Sequence, residues 1–212
     1  MTNPDAAQEG TDRRELVAVI LLSVTAILTA WTGFQASKWG GAMSISFSQA
    51  SAARIEASRQ EGAANRKQTI QVALYAQWLQ ANAGPDKSVA DYLSARFPEP
   101  LQSAFASWKL TNPGTNPQAP NSPFAMPEYV LPELAAAQAA DDRADTLFAD
   151  ALEANQRGDN YTLLTVAFAS VLFFAAMSGK MKSRNRQWTL LGISLFLFGS
   201  ATLLLLVFPK RF

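Results

Sequence analysis

The chain contains no cysteine and no histidine in its 212 residues. Without cysteine there can be no disulfide framework, thiol nucleophile or thiolate metal site. Without histidine the chain lacks the commonest general base and the commonest ligand for zinc, haem iron and copper. Two large groups of catalytic and metal chemistry are therefore excluded by composition alone.

Sequence motifs that carry chemistry are missing as well, since we find no phosphate-binding loop, nucleophile elbow or paired catalytic carboxylates. The densest acidic group is Asp141, Asp142 and Asp145. These carboxylates could hold a hard cation, but they lack the loop and glycine of a calcium motif, so a solvated helix face is preferred. The formal net charge of +1 gives no reason to expect a nucleic-acid partner. We predict a protein that is not an enzyme, with no catalytic, cofactor-binding or metal-binding residues.

What the chain does have is three long apolar runs that predict membrane spans. A helix needs about 20 apolar residues to cross the hydrocarbon core of a bilayer. The runs begin at Leu16, Tyr161 and Trp188, and none contains a charged residue. The first run could instead be a cleaved signal peptide, but it is long for that and the cleavage site is poor. The predicted order is a cytoplasmic tail (1–15), span 1 (16–34), an extracytoplasmic domain (35–159), span 2 (160–178), a basic cytoplasmic loop (179–187), span 3 (188–208) and an extracytoplasmic tail (209–212).

Orientation follows from the short loop between spans 2 and 3. It contains Lys180, Lys182, Arg184 and Arg186 and no acidic residue, which is typical of a cytoplasmic loop. The N-terminus is then cytoplasmic as well, and the domain at 35–159 lies outside. The basic residues of the tail at 209–212 would be a minor exception to the positive-inside rule.

Small residues recur along the helix that we expect to continue from span 1. Small side chains that recur every seven residues are typical of a narrow seam at which another helix approaches closely. The alternative is that a run rich in alanine and serine produces such rows by chance. We call these positions the small-residue seam: Ala26, Ala30, Gly33, Ser37, Gly40, Ser44 and Ser51.

The rest of the domain is predicted to be helical around one proline-rich segment. The sequence N-A-G-P-D at 82–86 predicts a helix stop, and short helices are expected over 89–97 and 99–110. The segment 111–132 holds six prolines and can be neither helix nor central strand. Its apolar residues predict an ordered, extended strap, with a flexible loop as the alternative. Pro132 opens a final helix that returns to span 2, with a break expected at 157–159, so the fold class is an all-α membrane protein with an extracytoplasmic helical hairpin.

The segment T-A-W-T-G-F-Q-A-S-K-W-G-G at 29–41 resembles an uncharacterised family of bacterial inner-membrane proteins that carry W-x-G-[FY]-Q-A-x-x-W-x-G. The sequences at 120–133 and 159–174 are similar to the same family. The resemblance implies a shared architecture and a bacterial inner membrane, but it implies no activity. Together with the tryptophans expected at the membrane interfaces, it suggests interface anchors that lock the domain to the membrane, in preference to a ligand site: Trp31, Gln35, Trp39, Tyr129, Asn160 and Trp188.

These observations lead to one functional expectation and two alternatives. We expect a non-enzymatic integral membrane scaffold or accessory subunit that acts through helix–helix assembly. Its partners would be the lipid bilayer and either further copies of itself or a membrane complex. The alternatives are a multimeric pore with an extracytoplasmic vestibule and a membrane sensor that signals through a partner.

Overall fold

The computed structural model describes the backbone of residues 4–211 and the side chains of residues 15–211. The side chains of Arg13 and Arg14, in the predicted cytoplasmic tail, lie outside that part. The described chain is helical and holds no strand, which confirms an all-helical fold. Its elements are α1 (Pro4–Ala83), α2 (Ser88–Ser94), α3 (Leu101–Leu110), a 3₁₀-helix (Pro123–Ala125), α4 (Pro132–Lys180) and α5 (Arg184–Val207).

Three of these helices, α1, α4 and α5, are long and apolar enough to cross a membrane. This confirms the three candidate spans. Helix α1 is uninterrupted because no proline occurs between Pro4 and Pro85. It ends at Ala83, where the Gly84 N–H donates to the Ala81 carbonyl at 3.2 Å and Pro85 follows. The stop predicted at 82–86 is therefore correct.

The break predicted at 157–159 is wrong, because α4 continues without interruption from Pro132 to Lys180. Side chains four residues apart support the helix there: Arg157 pairs with Glu153, and the Asn155 amide donates to Asp159 at 3.2 Å. Gly158 is buried and lies against α1, where an added Cβ would be 3.6 Å from the Cβ of Trp39. Glycine here serves close packing inside a helix and does not end one.

The chain divides into two units, which we call the span unit (Met1–Ser48 and Leu147–Phe212) and the middle unit (Gln49–Thr146). In the span unit, α1 contributes core residues at alternating steps of four and three. This spacing keeps one face of a helix against its neighbours. The α1 core residues are Leu21, Thr25, Leu28, Thr32, Gln35, Trp39 and Ala42, and they pack with residues of α4 and α5 that include Tyr161, Leu164, Phe168, Val171, Leu191, Ala201 and Leu205.

Most polar groups of the spans bond within their own helix. Thr25 donates to the Leu21 carbonyl at 2.6 Å, and Ser170 donates to the Val166 carbonyl at 3.0 Å. One hydroxyl pair joins two spans, since Thr165 Oγ1 of α4 lies 2.9 Å from Thr32 Oγ1 of α1. Large apolar side chains on the outer faces are exposed, as lipid-facing residues would be, and they include Leu16, Ile20, Ile27, Phe173, Phe196 and Leu206.

In the middle unit, α1 and α4 run antiparallel and are joined by ion pairs. Arg54 binds Asp141 at 3.0 Å and Asp145 at 2.6 Å, and Lys67 binds Glu133. Asp141 and Asp145 are 47% and 67% exposed, which agrees with a solvated helix face, but the sequence did not predict that both pair with Arg54. The sequence missed the pairing because the partners are 87 and 91 residues apart.

Aromatic residues form the main core of the middle unit at the end of α1. Tyr75 and Trp78 of α1 stack at 5.7 Å and meet the rings of α3 edge-on. Residues 111–131 connect α3 to α4 and lie partly on this core. Trp108 Nε1 donates to the Pro120 carbonyl at 2.7 Å, and the Phe124 ring lies 5.5 Å from that of Tyr75. The cluster comprises Tyr75, Trp78, Ala90, Phe97, Leu101, Phe105 and Trp108, with Phe124, Met126 and Tyr129 packed against it.

Candidate assembly face and interface cluster

The small-residue seam lies on a face of α1 that the chain does not use for its own core. Six of its seven residues are exposed, and Gly40 is half-buried. A Cβ added at Gly33 or Gly40 would have no atom within 4 Å. At 3.6 residues per turn, the seam is centred roughly 150° around the helix from the core residues at 21–42. Packing within the chain therefore does not require these residues to be small.

The span unit also contains a polar cluster at the end of the spans, which we call the interface cluster: Gln35, Trp39, Arg157, Tyr161 and Arg211. Gln35 is fully buried and forms two reciprocal bonds with the backbone of Arg211. Its Nε2 donates to the Arg211 carbonyl at 3.1 Å, and its Oε1 accepts from the Arg211 N–H at 2.9 Å. The Tyr161 hydroxyl donates to the Pro209 carbonyl at 3.0 Å. The chain after α5 is thereby fixed to α1 and α4.

Trp39 lies at the centre of this cluster and is only 5% exposed. The guanidinium carbon of Arg157 is 4.7 Å from the centroid of its ring, and that of Arg211 is 5.3 Å away. Both distances are typical of cation–π contact. The indole Nε1–H is buried and has no acceptor among the described residues. A buried donor without an acceptor is uncommon and asks for an explanation.

The other predicted anchors do not all join this cluster. The Trp31 ring is half-buried and lies 5.7 Å from the Phe34 ring, and Asn160 is half-buried in α4. Trp188 is 51% exposed at the other end of the spans. There it lines a cavity of about 340 Å³ whose other walls are Glu15, Ala18, Val19, Ser178, Gly179, Gln187 and Leu191.

Tyr129 belongs to the middle unit, where it bonds to a second buried glutamine of α1. Its hydroxyl donates to Gln71 Oε1 at 2.6 Å, while Gln71 Nε2 donates to the Glu99 carbonyl at 2.9 Å. Gln71 is fully buried, so both bonds replace water that the amide loses. Burial raises the pKa of the Tyr129 hydroxyl above its ordinary value. The contact joins the segment before α4 to α1 and to the start of α3.

Beside the aromatic core, the middle unit has an open cleft of about 650 Å³. Tyr75, Trp78 and Trp108 line it. Around the cleft lie Leu79, Asn82, Lys109, Asn112, Pro113, Gly114, Thr115 and Asn121.

The described residues contain no group of three or more acidic side chains placed to hold a metal ion.

Sequence reasoning missed three functional candidates: Gln71, Arg157 and Arg211. A signal existed for Gln71, because it lies in the helical stripe with Tyr75 and Trp78 and is the polar residue of that stripe. Arg157 and Arg211 flank spans 2 and 3, and flanking bases usually suggest only interfacial anchoring. Nothing local relates either arginine to Trp39.

Comparison of the chain with protein-family models, with curated proteins and with solved structures gave no match.

Proposed function

We propose that this protein is a non-enzymatic scaffold of the bacterial inner membrane that assembles through α1 of two copies. One observation carries the proposal: the small-residue seam is exposed, and its glycines have open space where a side chain would be. The proposed topology has a cytoplasmic N-terminus and places the middle unit on the extracytoplasmic side. The interface cluster would fix the span unit at that side.

A second copy is the occupant that fits this face. Small side chains let two helix backbones approach closely inside a bilayer, where packing and not the hydrophobic effect drives association. Glycine inside a helix costs about 1 kcal/mol relative to alanine. Packing within the described chain does not require glycine at Gly33 or Gly40, because an added Cβ would meet nothing within 4 Å beyond its own stretch of helix. A seam that meets its own copy forms a twofold, self-complementary contact.

Replacing a small residue of the seam by a large one tests the proposal. Gly33→Leu should leave the monomer folded, because no atom lies within 4 Å of the added Cβ, and it should lower the dimer fraction in detergent severalfold. Gly199→Leu is the matched control, since Gly199 is exposed in α5 and equally open. Mass measurement in detergent would check both variants. A wild-type chain that is monomeric, or equal loss in both variants, would contradict the proposal.

Cross-linking gives an independent measurement, because the chain has no cysteine of its own. Ser37→Cys should form a disulfide-linked dimer in membranes upon mild oxidation. Ser200→Cys is the control, as an exposed serine of α5 that is not part of the seam. Equal cross-linking at both positions would indicate random collision in place of a defined interface.

A further inference from the structure

Two arginines, one in α4 and one in the segment after α5, contact one buried indole ring. Arg157 comes just before span 2, and Arg211 follows span 3. Trp39 lies little more than one helical turn beyond span 1. All three side chains are therefore at the same end of the spans, and both guanidinium carbons lie within 5.3 Å of the ring centroid.

Positive charge at this end of the span unit is poorly compensated. Arg157 pairs with Glu153, one helical turn away, but that pair is partly exposed and therefore weak. Among the described residues, no carboxylate pairs with Arg211, Lys210 or Lys38. The nearby Asp159 accepts from Asn155. Among the described residues, this end of the spans thus has four basic side chains, Lys38, Arg157, Lys210 and Arg211, and two acidic ones, Glu153 and Asp159.

Such a surplus is unusual on the side of the membrane that the sequence predicts. Basic residues are concentrated in cytoplasmic loops, whereas this cluster is predicted to be extracytoplasmic. Lys210 caps the end of α5, because its Nζ donates to the Leu206 and Phe208 carbonyls. The two arginines make no backbone contact of that kind through their guanidinium groups in the described part of the chain. Their placement around Trp39 therefore calls for a different explanation.

We propose that Arg157 and Arg211, held against the ring of Trp39, bind the phosphate of an anionic lipid headgroup. Guanidinium groups bind phosphate oxygens through paired, charge-assisted hydrogen bonds. The indole Nε1–H is itself enclosed, so Trp39 contributes the ring on which the two guanidinium groups are held. The site is independent of the α1 assembly face, so either proposal can fail alone.

Lipid-dependent stability of the full chain tests this site. The wild-type protein in phosphatidylcholine nanodiscs should gain thermal stability when phosphatidylglycerol is included. Native mass spectrometry should show phosphatidylglycerol retained. The variant Arg157→Gln/Arg211→Gln should lose both effects, with affinity reduced about tenfold per arginine. Its backbone bonds to Gln35 involve no arginine side chain, so its helical content should be unchanged.

Further variants separate specific binding from general charge. Arg143→Gln removes one exposed base of the middle unit and should retain full phosphatidylglycerol stabilisation. Trp39→Ala removes the ring that holds both guanidinium groups and should weaken lipid binding, whereas Trp39→Phe keeps a ring and should retain more of it. Arg157→Lys keeps the charge but not the planar fork and should bind at an intermediate level. Should the double variant not fold, Arg157→Gln alone makes the same test, because that side chain is 35% exposed.

A comparison with inorganic phosphate shows whether the bound phosphate belongs to a lipid or to a free anion. In neutral detergent, inorganic phosphate at millimolar concentration should stabilise the protein no more than chloride at equal ionic strength. Full stabilisation by inorganic phosphate would overturn the assignment to a lipid. Equal stabilisation of wild type and the double variant by phosphatidylglycerol would overturn the site itself, as would no stabilisation of the wild type.

Discussion

The side-chain amide of Gln35 is bonded to the backbone amide and carbonyl of Arg211, which lies 176 residues later in the chain. The two hydrogen bonds have the pattern of a reciprocal backbone pair, in which the side-chain amide of Gln35 takes the place of one backbone N–H and one carbonyl. Both groups of the amide are satisfied, so a fully buried polar residue is accommodated beside the spans. The contact makes the last residues of the chain part of the span unit.

Gln35→Met should lower the melting temperature of the protein in detergent. The substitution keeps the approximate length of the side chain but leaves the Arg211 N–H and carbonyl unpaired, at a cost of about 1–3 kcal/mol. Gln68→Met is the control, because Gln68 is exposed on the same helix. If both variants melted with the wild type, the reciprocal bonds would contribute nothing measurable.

Tyr129→Phe should destabilise the middle unit by about 1–2 kcal/mol, because it leaves the buried Gln71 Oε1 without its donor. Tyr92→Phe is the matched change, since Tyr92 is 60% exposed and its ring contact with Arg96 survives the loss of the hydroxyl. Hydrogen exchange of α3 and of the residues before α4 would locate the effect. Equal loss of protection in the two variants would argue against the Gln71 contact.

The Lys67–Glu133 pair should make the stability of the middle unit depend on pH. The hydrogen bond from Lys67 holds the pKa of Glu133 below its ordinary value. A lowered folded-state pKa contributes stability that is present above the unfolded pKa and lost as the pH falls through the folded pKa. We therefore expect a loss of thermal stability as the pH falls below about 4.

Lys67→Met should flatten this acid dependence and lower stability at neutral pH. Arg59→Met is the control, because Arg59 is 74% exposed and lies 4.0 Å from its acidic neighbour. Thermal melting at neutral and acidic pH would compare the variants. An unchanged acid dependence in Lys67→Met would show that other carboxylates cause it.

Substitutions at Gly158 should separate helix propensity from packing. Gly158→Ala should be tolerated or slightly stabilising, since the added Cβ meets Trp39 and Ala36 at ordinary contact distances and alanine favours a helix by about 1 kcal/mol. Gly158→Leu should destabilise the span unit by about 1–3 kcal/mol, because the larger side chain forces α4 away from α1. Gly179→Leu, in an open position of the same helix, should have little effect. Thermal melting in detergent would measure all three, and equal effects at 158 and 179 would contradict the packing argument.

The helical fold class and the three candidate spans could be predicted from the sequence, because both depend on local composition. A long apolar run without charge has few alternatives to a membrane helix, and Gly84–Pro85 ends α1 whatever surrounds it. The prediction failed at 157–159. A glycine next to charged residues has the composition of a break, and only its contact with α1 shows that it packs inside a helix.

The sequence identified only some residues of the candidate sites. Small residues that recur every seven residues identified one face of α1. The core residues at 21–42 recur with the same period, so periodicity could not show which of the two faces packs inside the chain. Trp39 and Gln35 were singled out, whereas Arg157 and Arg211 were not. The sequence by itself determined which segments are apolar and helical, since those properties depend on neighbouring residues. Only the tertiary structure decided that two arginines and one indole meet, because their contacts join residues more than a hundred positions apart.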